Sequence, residues 1–301
     1  MRWLNKWLGF GLLIPAGALL GQVTVEVTLD QQQFLPGESL PIAVRVTNLS
    51  GQPLRLGTDD EWLQIAVEGR AGQIVRRLAD PPVRGEFTLQ SSQRATKRLD
   101  LAPCFDLSRQ GRYRVQATVR IAAWDRQFVS EPVTFYIISG SRLWEREFGV
   151  PQSATNAAPE VRKYILQQAN YLKQELRLYL RLTDATETKI YRVLALGPVV
   201  SFGRPEPQLD RHSNLHLLYQ RGRTACSYVV VNPDGIVLTR QTYDIAGSRP
   251  RLQWNEAGDL VVTGGARRYA EDDYPPRKPD GEAASPSNLA PTNAATPAGA
   301  P

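Results

Sequence analysis

LHLLYQRGRTACSYVVVNPDGIVLTRQTYDIAGSRPRLQWNEAGDLVVTGG, residues 215–265, is the stretch that decides the fold class. Its segment VVVNPDGIVL is repeated in pattern by LQWNEAGDLV, so that Asn232 corresponds to Asn255 and Gly235 to Gly258. A connection with Asn first and Gly last is typical of a type I turn followed by a left-handed glycine. Each copy therefore predicts an antiparallel hairpin. A closed propeller needs at least four blades of about 40–50 residues each, more than this part of the chain holds, so the repeat favours a meander of propeller-like hairpins.

The first 21 residues have the pattern of a secretory signal peptide. Arg2 and Lys6 precede LGFGLLIPAGALL, and small residues follow that offer cleavage at Ala18 or at Gly21. A basic start, an apolar stretch of about 7–15 residues and a small-residue exit are typical of export signals, whereas about 20 apolar residues are needed to span a bilayer. We therefore expect a periplasmic or secreted protein with no transmembrane segment in the mature chain.

The chain carries a formal net charge of +6, and arginine greatly outnumbers lysine among its 36 basic residues. Arginine suits carboxylate and phosphate ligands, because its planar fork donates two parallel hydrogen bonds. A genome that prefers arginine codons explains the ratio equally well. Nucleic acid is not an expected partner, since no basic stripe is interleaved with aromatic residues and export removes the usual target.

Residues 22–140 alternate between apolar and polar side chains with the period of a β-strand. The clearest case is GRYRVQATVRI, residues 111–121, which predicts Tyr113, Val115, Ala117, Val119 and Ile121 in a core and Arg112, Arg114 and Arg120 facing solvent. Seven or eight such strands, spaced by about 8–12 residues and separated by turn signals, predict an antiparallel β-sandwich.

The sequence of the turns and strands in this region resembles that of bacterial extracytoplasmic Ig-like modules. VTNLSGQPL (residues 46–54) and LDLAPCFDLSRQGRYRVQATV (residues 99–119) carry the resemblance, and the second is also similar to the propiece-type β domain of some secreted metalloproteases. In such domains a tyrosine near the start of a late strand packs at a corner, which the resemblance implies for Tyr113. The protease zinc motif His-Glu-x-x-His does not occur in the sequence, so no catalytic role is carried over.

The alternation stops after residue 140. Residues 141–160 predict a linker, with Trp144 and Phe148 as apolar anchors. Residues 161–270 predict a second, β-rich domain, although 161–174 fit a helix as well as a strand. Residues 271–301 are rich in Pro and Ala and have too few apolar side chains to offset the entropy of ordering, so we expect a disordered tail. The predicted fold class is all-β: an Ig-like sandwich followed by an antiparallel meander.

Few residue patterns indicate chemistry. Cys104 and Cys226 are the only cysteines, and an exported chain allows either one disulfide between them or two free thiols. His212 and His216 have the i, i+4 spacing of a zinc pair on a helix, but on a strand they lie about 13 Å apart, which is too far for one ion. Asp59, Asp60 and Glu61 are interpreted as a solvated turn, and Asp106 as a turn cap. We expect no catalytic residue, no metal and no cofactor.

An anion or partner surface is the one binding site that the sequence suggests. Its candidate residues are Arg112, Arg114 and Arg120 on the outward face of one strand, and Arg267 and Arg268 after a Gly-Gly pair. The function that fits best is an exported, non-catalytic binding or structural protein of the cell envelope, with a protein or a cell-wall polymer as partner. The alternatives are an inhibitor or chaperone-like module that pairs through an edge strand such as residues 23–29, and a glycan hydrolase whose carboxylates the sequence does not identify.

Overall fold

The computed structural model describes residues 23–150 and 160–276. All regular secondary structure in these residues is β-strand, apart from two single turns of 3-10 helix, so the predicted all-β class is confirmed. No helix in the described residues has the length and apolar character needed to cross a membrane. The chain divides after Val199 into two compact units. The predicted signal peptide at 1–21 lies outside the described residues.

The N-terminal part of the first unit contains ten strands. They are β1 (Val23–Leu29), β2 (Gln33–Phe34), β3 (Pro41–Asn48), β4 (Leu54–Leu56), β5 (Leu63–Glu68), β6 (Phe87–Leu89), β7 (Arg94–Asp100), β8 (Gly111–Ile121), β9 (Arg126–Val129) and β10 (Val133–Ile137). One sheet has the order β1-β3-β7, a second has the order β2-β10-β8-β5 with β9 also paired to β8, and β4 pairs with β6. All pairs are antiparallel except β2 with β10. Within residues 74–78, Ile74 and Arg77 make only isolated bridges.

The two larger sheets share one hydrophobic core. Alternate residues of β1 and β3, such as Val25 and Val44, are buried in the same cluster as Val115 and Val119 of β8. Because successive side chains of a strand point to opposite faces, the buried positions of β8 are the odd-numbered ones, as the alternation predicts. The arrangement is a two-layer sandwich.

Tyr113 closes one corner of this core. Its ring stacks on Phe135 with the centroids 5.5 Å apart, and its hydroxyl donates to the carbonyl oxygen of Arg109 at 2.7 Å. A tyrosine whose hydroxyl bonds to backbone a few residues upstream fixes the entry of the strand that follows. The corner role that the sequence resemblance implied for Tyr113 is the one that these contacts describe.

Residues 141–199 form a second part of the first unit, and two sequence predictions change here. This part is a four-stranded antiparallel meander of β11 (Ser141–Gly149), β12 (Val161–Tyr171), β13 (Glu175–Asp184) and β14 (Ile190–Pro198). The stretch predicted as a linker is therefore a strand over 141–149, where Phe148 stacks on Tyr164. The stretch that fitted a helix is β12. A turn at Leu172 and Lys173 connects β12 to β13, and both residues have backbone dihedral angles in the left-handed region.

The loop of residues 35–38 packs on this meander. Leu35 is buried together with Ala169, Tyr179 and Val193, and a side chain at Gly37 would lie 2.9 Å from Ile190. The Arg181 guanidinium donates to the Pro36 carbonyl oxygen at 3.2 Å. These contacts make the sandwich and the meander one compact unit, so the domain boundary predicted at residues 141–160 is not where the chain divides.

Glu38 is the charged residue that this loop buries. Its carboxylate accepts from the Leu35 N–H at 2.8 Å and from the Gln31 side chain at 3.0 Å. Burial raises the pKa of Glu38 above its ordinary value of 4.5, against the lowering effects of those hydrogen bonds and of Arg177. The loop therefore holds its carboxyl group in an environment that favours the protonated form.

The second unit consists of an open sheet and a separate hairpin. The sheet has the order β15 (Glu206–Leu209), β16 (Leu215–Gln220), β17 (Ala225–Val231), β18 (Val237–Asp244) and β21 (Ala266–Arg268), and the hairpin pairs β19 (Arg251–Trp254) with β20 (Leu260–Thr263). Residues 271–276, predicted as part of the disordered tail, contact β18: Tyr274 and Arg240 exchange backbone hydrogen bonds. The rest of the predicted tail, 277–301, lies outside the described residues.

Both turns in the opening stretch have the geometry that their sequence predicts. Gly235 and Gly258 lie at φ values of 74° and 78°. Their N–H groups donate to the carbonyl oxygens of Asn232 and Asn255 at 2.9 and 3.0 Å. The side-chain oxygen of Asn255 also accepts from the Asp259 N–H at 2.8 Å, which closes the turn from inside.

Gly258→Ala is expected to lower the free energy of unfolding by about 1 kcal/mol, because a left-handed backbone is costly for a residue with a Cβ atom. The space around the added atom is empty, so the cost isolates the backbone conformation. Gly222→Ala is the control, since Gly222 also has open space and has no positive φ. Denaturant unfolding of the two variants measures the difference, and equal stabilities would contradict the turn assignment.

Glu38→Gln is expected to gain stability relative to the unaltered protein as the pH rises. The raised pKa means that the buried carboxyl contributes its stability below the unfolded pKa and loses it as the pH rises through the folded pKa. Unfolding free energies at about pH 4 and about pH 7 measure the change. Glu26→Gln is the control, because Glu26 is exposed and pairs with Arg45 on the surface. A difference that stays constant with pH for Glu38→Gln would contradict burial of an ionisable group.

Candidate binding site

A polar cleft opens in the first unit between the sandwich and the meander. Its volume is about 670 Å³. One wall comes from the start of β8 and the end of β10, and the other comes from β12 and the start of β13. The lining residues are Gln110, Gly111, Arg112, Tyr136, Ile137, Ile138, Ser139, Ser141, Gln168, Ala169, Asn170 and Leu176. The cleft brings a cation, Arg112, and an aromatic ring, Tyr136, together with neutral polar groups, which makes it the candidate site.

Arg112 and Tyr136 form the sandwich wall. They are opposite each other in the antiparallel pairing of β8 with β10, which brings the two side chains together on the outward face. The Arg112 guanidinium donates to the Thr134 hydroxyl at 3.4 Å. Within the described residues it has no carboxylate partner, so its guanidinium is able to pair with a carboxylate of a ligand.

The opposite wall supplies amides and hydroxyls. Gln168 and Asn170 lie on β12, and Ser139 and Ser141 lie where the chain passes from β10 to β11. No hydrogen bond of these four side chains to another described residue is present. Amides and hydroxyls both donate and accept, which suits a ligand with many hydroxyl or amide groups. The cleft therefore combines one charge contact with a set of neutral contacts.

The other arginines of the predicted anion surface are neutralised by nearby carboxylates. Arg114 pairs with Glu68 at 2.8 Å and Arg120 with Glu61 at 2.9 Å. In the second unit, Arg267 pairs with Asp273 at 2.7 Å, and Arg268 pairs with Asp244 at 3.1 Å. Each of these four arginines therefore has a carboxylate partner within its own unit. Arg112 is the member of the predicted set that remains available.

The acidic residues flagged by the sequence also have separate partners. Asp59 accepts from the Glu61 N–H at 2.9 Å, and Asp60 forms a two-pronged pair with Arg84 at 2.7 Å. The Arg84 guanidinium lowers the pKa of Asp60. Asp106 accepts from the hydroxyl and the N–H of Ser108, which makes it a turn cap. These contacts give Asp59, Asp60 and Asp106 each a local structural partner.

The two histidines lie closer together than the sequence predicts, because β16 begins only at Leu215 and His212 belongs to the preceding turn. His216 Nε2 lies 3.4 Å from Asp210 and His212 Nδ1 lies 3.9 Å from it. Among the described residues, however, no three or more His, Cys, Asp or Glu side chains are grouped so that they could hold a metal ion.

His216 is instead part of a buried hydrogen-bond chain. Its Nδ1 is 2.7 Å from the Tyr228 hydroxyl. Burial would raise the pKa of Asp210, but the hydrogen bonds from Asn214 and the His212 N–H outweigh it and lower that pKa. An ionised carboxylate only accepts, so His216 Nε2–H donates to Asp210, and Nδ1 is left for the hydrogen bond with the Tyr228 hydroxyl. Burial raises the pKa of Tyr228 to about 12, so the phenol keeps its proton.

Cys104 and Cys226 are buried free thiols, one in each unit. The structure does not contain the disulfide that the sequence allowed. Burial raises the pKa of both thiols, and Asp100 raises that of Cys104 further. Thiolate is the reactive form, so neither cysteine has the environment of a nucleophile.

Sequence reasoning found Arg112 and missed the rest of the cleft. Gln168 and Asn170 lay in the stretch that fitted a helix, and Ser141 lay in the stretch predicted as a linker. The signal that was present is the density of amide side chains in QQANYLKQ, residues 167–174, beside an apolar strand. Its meaning depends on which segment lies opposite, and that follows only from the fold.

Comparison with known proteins identifies no family. No family model matches the chain, and no curated protein matches it. Among solved structures, the chain is similar to Spo0M, a sporulation control protein from Bacillus subtilis, with 11% sequence identity over 67% of this chain and 80% of that chain and a TM-score of 0.29. A similarity of this size does not bear on function.

Tyr228→Phe is expected to lower the free energy of unfolding by about 1–3 kcal/mol, because it leaves a buried histidine nitrogen without its hydrogen-bond partner. Tyr243→Phe is the matched control in the same sheet, since the Tyr243 hydroxyl donates to Gln241 in a partly exposed position. Denaturant unfolding of both variants tests the difference. A smaller loss for Tyr228→Phe than for Tyr243→Phe would contradict a stabilising buried hydrogen bond between Tyr228 and His216.

Proposed function

We propose that this protein is an exported, non-catalytic binding protein of the cell envelope, and that its cleft binds a carboxylate-bearing cell-wall polymer. The observation that supports this most directly is Arg112, a cation without a carboxylate partner among the described residues, in a cleft lined by unengaged amides and hydroxyls. Export is supported by the pattern of the first 21 residues of the sequence.

The chemistry of such a polymer matches the cleft. Glycan hydroxyls and acetamido groups both donate and accept hydrogen bonds, as the side chains of Gln168 and Asn170 do. A sugar ring presents an apolar face that packs against an aromatic ring, and Tyr136 is 37% exposed at the cleft. A carboxylate then pairs with Arg112 and sets the orientation of the chain.

The sandwich is proposed to be an Ig-like module that supports this cleft. Two sheets over one core, the parallel pairing of β2 with β10 and the corner tyrosine Tyr113 favour that assignment. A sandwich positions ligand-binding side chains on rigid strands and short connections. The cleft residues of β8 and β10 therefore lie on paired strands of the sandwich.

Arg112→Ala is expected to weaken binding of soluble lysozyme-digested peptidoglycan about 10- to 100-fold, since a hydrogen bond to a charged group contributes about 1.5–3 kcal/mol. Isothermal titration calorimetry on the purified chain measures the affinity. Arg94→Ala is the matched control, because Arg94 also extends from a strand and donates to a threonine hydroxyl at 3.4 Å.

Neutral chitin oligosaccharides serve as the second ligand in that experiment. They are expected to bind more weakly than the carboxylate-bearing fragments and to be insensitive to Arg112→Ala. Equal binding of both ligands, or an unchanged affinity in Arg112→Ala, would contradict a carboxylate-specific cleft. Release of reducing ends from the polymer by the unaltered protein would contradict the non-catalytic assignment.

A further inference from the structure

β5 is the end strand of its sheet and has an open edge. β8 is its partner on one side. The carbonyl oxygen of Trp62, the residue just before β5, accepts from the Arg120 N–H at 2.8 Å. This hydrogen bond shows which residues of β5 direct their backbone groups toward β8. Since alternate residues of an antiparallel strand direct their backbone groups to the partner, Gln64 and Ala66 face β8, whereas Leu63 and Ile65 face away from it.

Two contacts confirm the outward direction of this second set. The Val67 carbonyl oxygen accepts from the Val75 N–H at 2.8 Å. The Ile65 carbonyl oxygen accepts from the Arg77 guanidinium at 3.2 Å. The N–H groups of Leu63 and Ile65 and the carbonyl oxygen of Leu63 also point away from β8, and they take no part in those two contacts.

A slot of about 620 Å³ lies along this edge. Its opposite wall is the segment 80–84, which contains Pro81 and Pro82. Proline has no N–H, so these two residues cannot donate to β5. The preceding donors, the N–H groups of Leu78 and Ala79, both bond to the Cys104 carbonyl oxygen, at 2.8 and 3.4 Å. Segment 80–84 therefore provides no backbone donor to β5, and the open edge of β5 lies at the bottom of the groove.

We propose that this slot binds an extended peptide of a partner protein, which adds as a strand beside Leu63–Ile65. Strand addition supplies the missing backbone partners, and alternate side chains of the peptide give specificity. This surface differs from the polar cleft, and its occupant is a polypeptide rather than a polymer of sugars.

The lining of the slot defines the chemistry of that peptide. Pro81, Pro82 and Val83 offer apolar contacts to alternate side chains. Three carboxylates, those of Asp60, Glu61 and Asp80, line the slot with two guanidinium groups, those of Arg77 and Arg84. Asp80 is the most exposed of these acids, with 89% of its side chain accessible. A peptide that alternates apolar with basic residues and lacks proline fits this pattern.

Arg77 competes with the peptide for the edge. Its guanidinium occupies the Ile65 carbonyl oxygen and also pairs with Asp80 at 3.2 Å. Its side chain is 47% accessible, and its guanidinium also lies 5.9 Å from the centre of the Phe105 ring. The incoming strand takes over the Ile65 acceptor, and its basic side chain takes over the carboxylate of Asp80. Removal of Arg77 therefore strengthens binding.

The test uses the full chain and a fluorescein-labelled peptide of four Val-Lys repeats, with fluorescence anisotropy as the measurement. The same peptide with N-methyl groups on alternate backbone nitrogens, on the edge that faces β5, is the control for backbone pairing. The unmethylated peptide is expected to bind at least ten-fold more tightly. In hydrogen-exchange NMR it is expected to slow exchange of the Leu63 and Ile65 amides and to leave those of Gln64 and Ala66 unchanged.

Arg77→Ala removes both a positive charge and the side chain that occupies the Ile65 carbonyl oxygen. Arg76→Ala removes a positive charge only, so it is the control. Arg76 is the neighbouring arginine and pairs with Asp106 at 3.5 Å. Arg77→Ala is expected to tighten binding several-fold more than Arg76→Ala does. Equal effects of the two variants, equal binding of the N-methylated peptide, or protection of Gln64 instead of Ile65 would overturn the proposal. Concentration-dependent dimerisation in sedimentation velocity that the Val-Lys peptide does not compete with would also overturn it, by assigning the edge to a second copy.

Discussion

The two-residue period of β8 is the constraint on which the first unit depends. Its odd-numbered side chains are buried between the sheets, so the register with β5 and β10 is fixed by the core. A shift of one residue would exchange the buried and the exposed sets completely. The same register places Arg112 opposite Tyr136 and turns the backbone of Ile65 away from the sheet. Both candidate surfaces are consequences of how this strand packs.

Local chemistry made much of the fold predictable. β1, β3 and β8 each keep one apolar face, and the Asn-to-Gly turns of the second unit need a left-handed glycine that few other residues tolerate. In both cases the deciding information lies within a few residues of the element itself. Such elements are recognisable because one physical requirement, burial of a single face or a positive φ, outweighs all others.

The sequence failed where a strand is not half-buried. Tyr164, Ile165 and Leu166 of β12 are consecutive and all buried, so the alternation that marks a strand is lost and the apolar spacing fits a helix equally well. β11 fails for the opposite reason, because it is an edge strand whose side chains are mostly exposed. Each stretch forms a strand because it pairs with neighbouring strands, and its own residues do not identify those neighbours.

The binding surfaces were less predictable than the fold because charge pairing is a tertiary property. Arg112 and Arg114 look alike in the sequence, but Glu68 neutralises Arg114 from a distance of 46 residues along the chain. The slot beside β5 depends on two prolines whose importance comes from the unpaired backbone facing them. Residue types indicate which groups are capable of binding, and only the packing shows which of them remain free to do so.

The placement of the two cysteines has a practical consequence. The chain contains one thiol in each compact unit, and both are buried. The fold therefore does not rely on a covalent cross-link, and it is compatible with oxidising and with reducing surroundings alike. Because a buried thiol reacts with a modifying reagent only after its surroundings open, each cysteine is a built-in reporter of the opening of its own unit. Mass-resolved thiol labelling can thus compare the local stabilities of the two units without any engineered probe.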